Sequence, residues 1–199
     1  MKKGFYSSQK LLILILVLGF GLTAYFFATS AGKTKEPQQF LEARRNAAEV
    51  SANIVGLTQS TNEKIKAINL SDLNGNAERA LSLIQEARAT NNEAYKSAFE
   101  LSRGLQTMAE ALAQIKSLES RRQAYEAVAV ELGLVSEFIN YTGSLNNFLD
   151  SLNRAIATNS PADRLTAENY LKEVNQKTET INNLNQEFSA KIGKFDKGF

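Results

Sequence analysis

With no His and no Cys in its 199 residues, this chain leaves acid–base and metal chemistry to its 21 Asp and Glu side chains. Imidazole is the side chain that titrates unperturbed near neutrality, and thiolate is the soft metal ligand and strong nucleophile. Without them, disulfides, zinc sites built on cysteine, histidine-activated nucleophiles and a lipidated N-terminal cysteine are all excluded. Carboxylates alone can still share metal ions inside a helical bundle, but that design takes Glu-x-x-His from facing helices. No such motif occurs here. The glutamates at 42, 49, 63, 86, 93, 100, 110, 119, 126, 131, 137, 168, 173, 179 and 187 mostly avoid the apolar positions described below. They read as a solvated charged face, because carboxylates are rarely buried unpaired. A phosphate-cradling glycine loop and Gly-x-Ser-x-Gly are missing too. The expectation is no catalytic residue, no cofactor and no metal site, and hence no enzyme.

A smaller set of residues offers recognition chemistry instead. Asn91 falls inside the most regular apolar seam of the chain, where an amide serves either as a polar register key or as part of a ligand pocket. Thr142 marks a shift in another seam, within Tyr141-Thr-Gly-Ser144. Tyr95, Phe99, Phe138, Tyr141 and Phe148 stand beside these seams. They widen the core stripe of a bundle or form an aromatic patch for a ligand or partner. Asn91, Tyr95, Phe138, Tyr141 and Thr142 are therefore the candidate seam, ligand or partner positions.

Helices must carry these residues. The apolar period is 3.5–3.6 throughout, no useful alternating stretch competes, and only Pro37 and Pro161 interrupt the chain. The first helix is expected over about 37–70, with Phe40, Ala43, Ala47, Val50, Ile54, Leu57, Thr61, Ile65 and Ile68 inward and one stutter near the end. Ser71-Asp-Leu-Asn-Gly-Asn76 reads as a turn. The second helix, about 77–116, holds a 3-4 alternation through Ala77, Ala80, Ile84, Ala87, Asn91, Ala94, Ala98, Leu101, Leu105, Met108, Leu112 and Ile115.

Ser120-Arg-Arg-Gln123 resembles a capping box, so a turn near Ser117–Ser120 is expected to start the third helix, about 120–158. Its seam runs through Tyr125, Val128, Leu132, Val135, Ile139 and Thr142, then shifts to Leu145, Leu149, Leu152 and Ile156, which predicts a kink near Gly143. Ser160-Pro-Ala-Asp163 is a helix start with a cap, a first-turn proline and an acid at the positive end of the dipole. It opens the fourth helix, about 161–193, inward through Leu165, Leu171, Val174, Thr178, Ile181, Leu184, Phe188, Ile192 and Phe195. Residues 194–199 are expected to fray. The fold class is all-α: a single N-terminal transmembrane helix, then an antiparallel up-down-up-down four-helix bundle over 37–195 with coiled-coil-like heptads.

The membrane expectation rests on Leu11–Ala28, 18 residues without a charge. As a helix they reach about 27 Å, close to the hydrocarbon thickness of a bilayer. Residues 1–10 form a basic tail, 11–30 a signal-anchor helix and 31–36 a juxtamembrane linker. Three of the 23 basic residues, Lys2, Lys3 and Lys10, precede the run, leaving 20 against 21 acidic residues beyond it. That even balance argues against nucleic acid as a partner. A short basic tail that stays inside puts the N-terminus in the cytoplasm and the bundle outside. Small residues near Ser30-Ala31 keep cleavage open, which would make the protein secreted or periplasmic.

The expected role is a membrane-tethered, extracytoplasmic interaction or scaffolding bundle, partnered by the bilayer through Leu11–Ala28 and by another protein or itself. The alternative from a different class is a sensory or solute-binding bundle with a ligand between helices. A secreted bundle, after signal cleavage, is the third.

Overall fold

The computed structural model describes residues 37–197, so the expected tail, anchor and linker over 1–36 lie outside the described residues. Four long helices fill the rest: α1 Gln38–Leu73, α2 Ala77–Ala111, α3 Leu118–Thr158 and α4 Pro161–Lys197. They pack against one another around one elongated core. At 35 to 41 residues each, they are about 52–62 Å long. Among the described residues no helix is long and apolar enough to cross a membrane.

Local chemistry accounts for the ends. Gly75 turns the chain after α1 with φ +73°, a conformation that suits glycine. Asn76 then caps α2 by accepting a bond from the Arg79 amide at 3.0 Å. A short 3-10 turn, Leu112–Gln114, tightens the end of α2, and the backbone is extended at Ile115 and Ser117. The Ser117 hydroxyl, rather than Ser120, caps α3 by accepting from the Ser120 amide; Ser120 itself is buried inside the helix. Asn159 ends α3 in the left-handed region at φ 53°, and the Ser160 hydroxyl caps α4 through the Asp163 amide.

Cross-helix bonds set the register and show that successive helices run antiparallel. Asn53 meets Ser97 and Gln39 meets Gln114 between α1 and α2. Arg88 meets Asp150 between α2 and α3. Glu126 meets Lys191, Glu137 meets Lys177, and Ser144 meets Glu173 between α3 and α4. Backbone contact is most extensive within the α1–α2 and α3–α4 pairs. Backbones of α1 and α4 stay farther apart, and their polar links lie at the two ends of the bundle, Arg44–Asp196 and Asp72–Arg164.

Inside, the seams differ from expectation in one consistent way. Of the positions expected inside the second helix, Ala77 is exposed in its first turn, while those from Ala80 to Met108 are buried, as are Leu112 and Ile115 just beyond its end. In α1, however, Ser51 and Thr58 take the core positions, while Val50 and Leu57 flank them half-buried. In α3, Ala124, Glu131 and Phe138 are inside, with Tyr125 exposed and Leu132 and Ile139 on the flank. In α4, Asn185 replaces Leu184, and Leu165 is 59% exposed. With these corrections, and with the buried Arg44 counted in place of Ala43, the 3-4 alternation of α1 and α3 is unbroken, so the stutter and the seam shift vanish. No break occurs at Gly143 either, since α3 is continuous. The reason is geometric: a strict heptad keeps facing its partners even where the inward residue is polar, and the neighbouring leucine or valine covers the edge.

The end expected to fray also differs. Helix α4 continues to Lys197, with Phe195 buried edge-to-face against Phe40 at 5.7 Å. Residues 198–199 lie outside the described residues.

Candidate functional site

The five candidate residues fall into three environments. Asn91 is buried on α2, and its Nδ2 donates to the Thr142 carbonyl at 2.8 Å and to Asn146 Oδ1 at 3.0 Å. Asn146 Nδ2 continues the chain of bonds to Asn92 Oδ1 at 2.9 Å. Both donor hydrogens of Asn91 are therefore used in locking α2 to α3. The Thr142 hydroxyl donates to the carbonyl of Ile139 in its own helix at 2.8 Å. The structure thus brings Asn91 and Thr142 together.

Phe138 and Tyr141 stack on each other within α3, centroids 5.6 Å apart, both buried. Burial pushes the Tyr141 phenol well above its usual range, because the phenolate would be desolvated. Tyr95 lies elsewhere. It is 40% exposed on α2 and meets Phe99 edge-to-face at 4.9 Å. Tyr95, and not Phe99, lines an open surface depression of about 640 Å³ together with Leu57, Thr90, Asn92, Glu93 and Lys96, among others.

A fourth place was not foreseen. Glu131 sits at an interior heptad position of α3 in line with Phe138, Leu145 and Leu152, fully buried, and neither carboxyl oxygen has a hydrogen-bond partner. Glu126–Lys191 and Glu137–Lys177 bracket it and set it level with the turn of α4 that holds Asn185. In the same way Arg44–Asp196 and Asp72–Arg164 set Ser51 of α1 against Asn185 and Ser189. Ser51 Oγ, Asn185 Oδ1 and Ser189 Oγ are likewise shielded and unpartnered.

One level of the core therefore holds five unpartnered oxygens from three helices. The register of α2 faces this level with Leu101 and Leu105. Burial pushes the Glu131 carboxyl from 4.5 up to about 8, since the charged form loses its water. The apolar Leu132 beside it hid this residue in the sequence; the missing step in an otherwise regular heptad was the signal that could have found it.

A second polar level lies about three turns away, where Asn62 of α1 is buried with neither side-chain polar atom bonded. Among the described residues no group of three or more acidic side chains gathers to hold a metal. No family model, no curated protein and no solved structure matches the chain.

Proposed function

We propose that this protein is a membrane-tethered, non-enzymatic helical bundle that serves as an extracytoplasmic interaction or scaffolding module. The observation that carries the reading is the charge-free run Leu11–Ala28 ahead of a bundle of four long helices. A helix of that run matches the bilayer in length, and Lys2, Lys3 and Lys10 on its N-terminal side favour retention of the tail in the cytoplasm. A rod about 50–60 Å long, fixed at one end, presents its flanks to whatever shares the membrane surface. On those flanks the exposed pair Tyr95 and Phe99 is the aromatic feature suited to a protein contact.

Protease protection of intact cells, combined with N-terminal sequencing of the mature protein, tests the placement. A bundle digested from outside with the N-terminus intact is the expected result. A bundle protected inside the cell sinks the topology, and a mature N-terminus near Ser30-Ala31 replaces the anchor with the secreted form. Crosslinking in native membranes then tests the role: capture of a partner or a second copy is expected, and a strictly monomeric, partnerless protein overturns it.

The buried polar levels favour a second reading, in which the bundle binds a small solute between helices. A thermal-shift screen of small ions and metabolites on the full chain tests it; no stabilisation by any of them removes it.

A further inference from the structure

We propose that the core level formed by Ser51, Glu131 and Asn185 is a binding site for one alkali-metal cation, Na⁺ or K⁺. This rests on side chains of the bundle core and not on the membrane-tethered reading. The first observation is the donor set. Glu131 supplies two oxygens, Ser51 and Asn185 one each, and Ser189 another at the edge, and every one of them is shielded from solvent without a hydrogen-bond partner. All are oxygens, the ligand type of hard cations.

Their spacing is the second observation. Hydroxyl hydrogens rotate to suit a neighbour, so Ser51 and Ser189 would bond to Glu131 if they lay within hydrogen-bond reach. They do not. Oxygens held at one level, yet apart from each other, are what surround an ion rather than what satisfy one another.

Charge selects the ion. A buried carboxylate needs a compensating charge, and among the described residues no cation supplies it. On α4, Lys191 turns outward to Glu126 and Glu187, and Lys177 to Glu137 and Glu173. On α2, Glu100 and Arg103 are exposed, as are Arg45 and Glu49 on α1. Arg44 is buried but engages Asp196 about two turns further towards the bundle end. On α3 itself, Glu126 and Glu137 face the outer pairs just named. One monovalent ion neutralises one carboxylate; a divalent ion would leave a net positive charge in an apolar core. Wider separation of α1 from α4, with polar links only at their ends among the described residues, offers a route in.

Occupancy competes with protonation of Glu131: the ion enters as the carboxyl proton leaves to solvent, so charge balances. The test uses the full chain in nonionic detergent, in chloride salts of Na⁺, K⁺ or N-methyl-D-glucamine at equal ionic strength, at pH 7 and pH 9. Either alkali salt should raise Tm at pH 9 by about 3 °C or more over N-methyl-D-glucamine, less at pH 7, and not at all in Glu131→Gln. Adding NaCl or KCl to lightly buffered wild-type protein near pH 8, where about half of the Glu131 carboxyls are still protonated, should also release up to about half a proton per chain. Equal Tm in all three salts at pH 9, with no proton release, overturns the site and leaves Glu131 as a plain buried acid. Stabilisation by Ca²⁺ at equal ionic strength that exceeds both alkali ions overturns the monovalent assignment.

Discussion

Arg44, in the second turn of α1, and Asp196, at the end of α4, meet at 2.9 Å across 152 positions of sequence. They clasp the first helix of the bundle to the last at the end where Phe40 meets Phe195. The guanidinium is 2% exposed and the carboxylate 17%, so the pair is largely out of water. Removing one partner from such a pair leaves an uncompensated charge, whereas replacing both with apolar groups is close to neutral. Asp196→Leu alone should lower unfolding free energy by about 3 kcal/mol in urea titrations, and Arg44→Met with Asp196→Leu should recover most of it. A single variant as stable as wild type would show that the clasp contributes nothing.

Glu131 predicts a pH dependence. Its folded carboxyl titrates near 8 against 4.5 for the free group, so between those values the unfolded chain has released a proton that the folded chain keeps. Stability therefore is greatest below the lower value and falls as pH rises, by about 1.4 kcal/mol per unit, levelling above pH 8. In N-methyl-D-glucamine buffers, wild type should lose ground to Glu131→Gln steadily over this range. Parallel stability curves for the two proteins would contradict the buried acid.

Asn91 is predicted to act through α2–α3 register. Asn91→Ala removes both donors and leaves the Asn146 carbonyl oxygen short of a partner, at a cost of about 1–2 kcal/mol. Hydrogen exchange should speed up in α2 and α3 around this level before it does at the Arg44 end. Loss of stability without that local pattern would argue for simple cavity formation.

Asn159 occupies the left-handed region, where Asn and Gly are tolerated and β-branched residues are not. Asn159→Gly should leave Tm nearly unchanged, while Asn159→Val should cost about 1 kcal/mol or more. Equal Tm values for the two variants would mean the turn relaxes.

Tyr95 and Phe99 carry the partner prediction. Both are 40–45% exposed, so Tyr95→Ala with Phe99→Ala should change stability by about 1 kcal/mol or less, the scale of one aromatic pair. In membranes the same variant should reduce crosslinked product several-fold. Unchanged crosslinking would move the contact to another face.

Much of this architecture was legible because α2 obeys its heptad from Ala80 to Met108 with apolar residues, interrupted at that spacing only by Asn91. The turns at Gly75 and Ser160 announced themselves through backbone and capping chemistry. Four illegible positions share one cause: at Ser51, Thr58, Glu131 and Asn185 the inward residue is polar and an apolar neighbour stands one place away, whereas at Ala124 and Phe138 two adjacent apolar residues competed for one place. Hydrophobic spacing follows the apolar neighbour, so a regular helix reads as a stuttering one. The candidate site suffered most, because what marks it is the very exception that this kind of pattern smooths over.

The pairing of helices by sequence neighbour has a consequence for how the chain assembles. With the most extensive contact inside α1–α2 and inside α3–α4, most contacts join residues only a few dozen positions apart, the arrangement that goes with rapid folding. For a chain emerging N-terminus first, the α1–α2 hairpin can form while α3 is still being made. Closure must wait, since Asp196 comes near the end of the last helix. A nascent chain halted before that turn would keep the Asp72–Arg164 link at one end of the bundle and lack the Arg44–Asp196 clasp at the other.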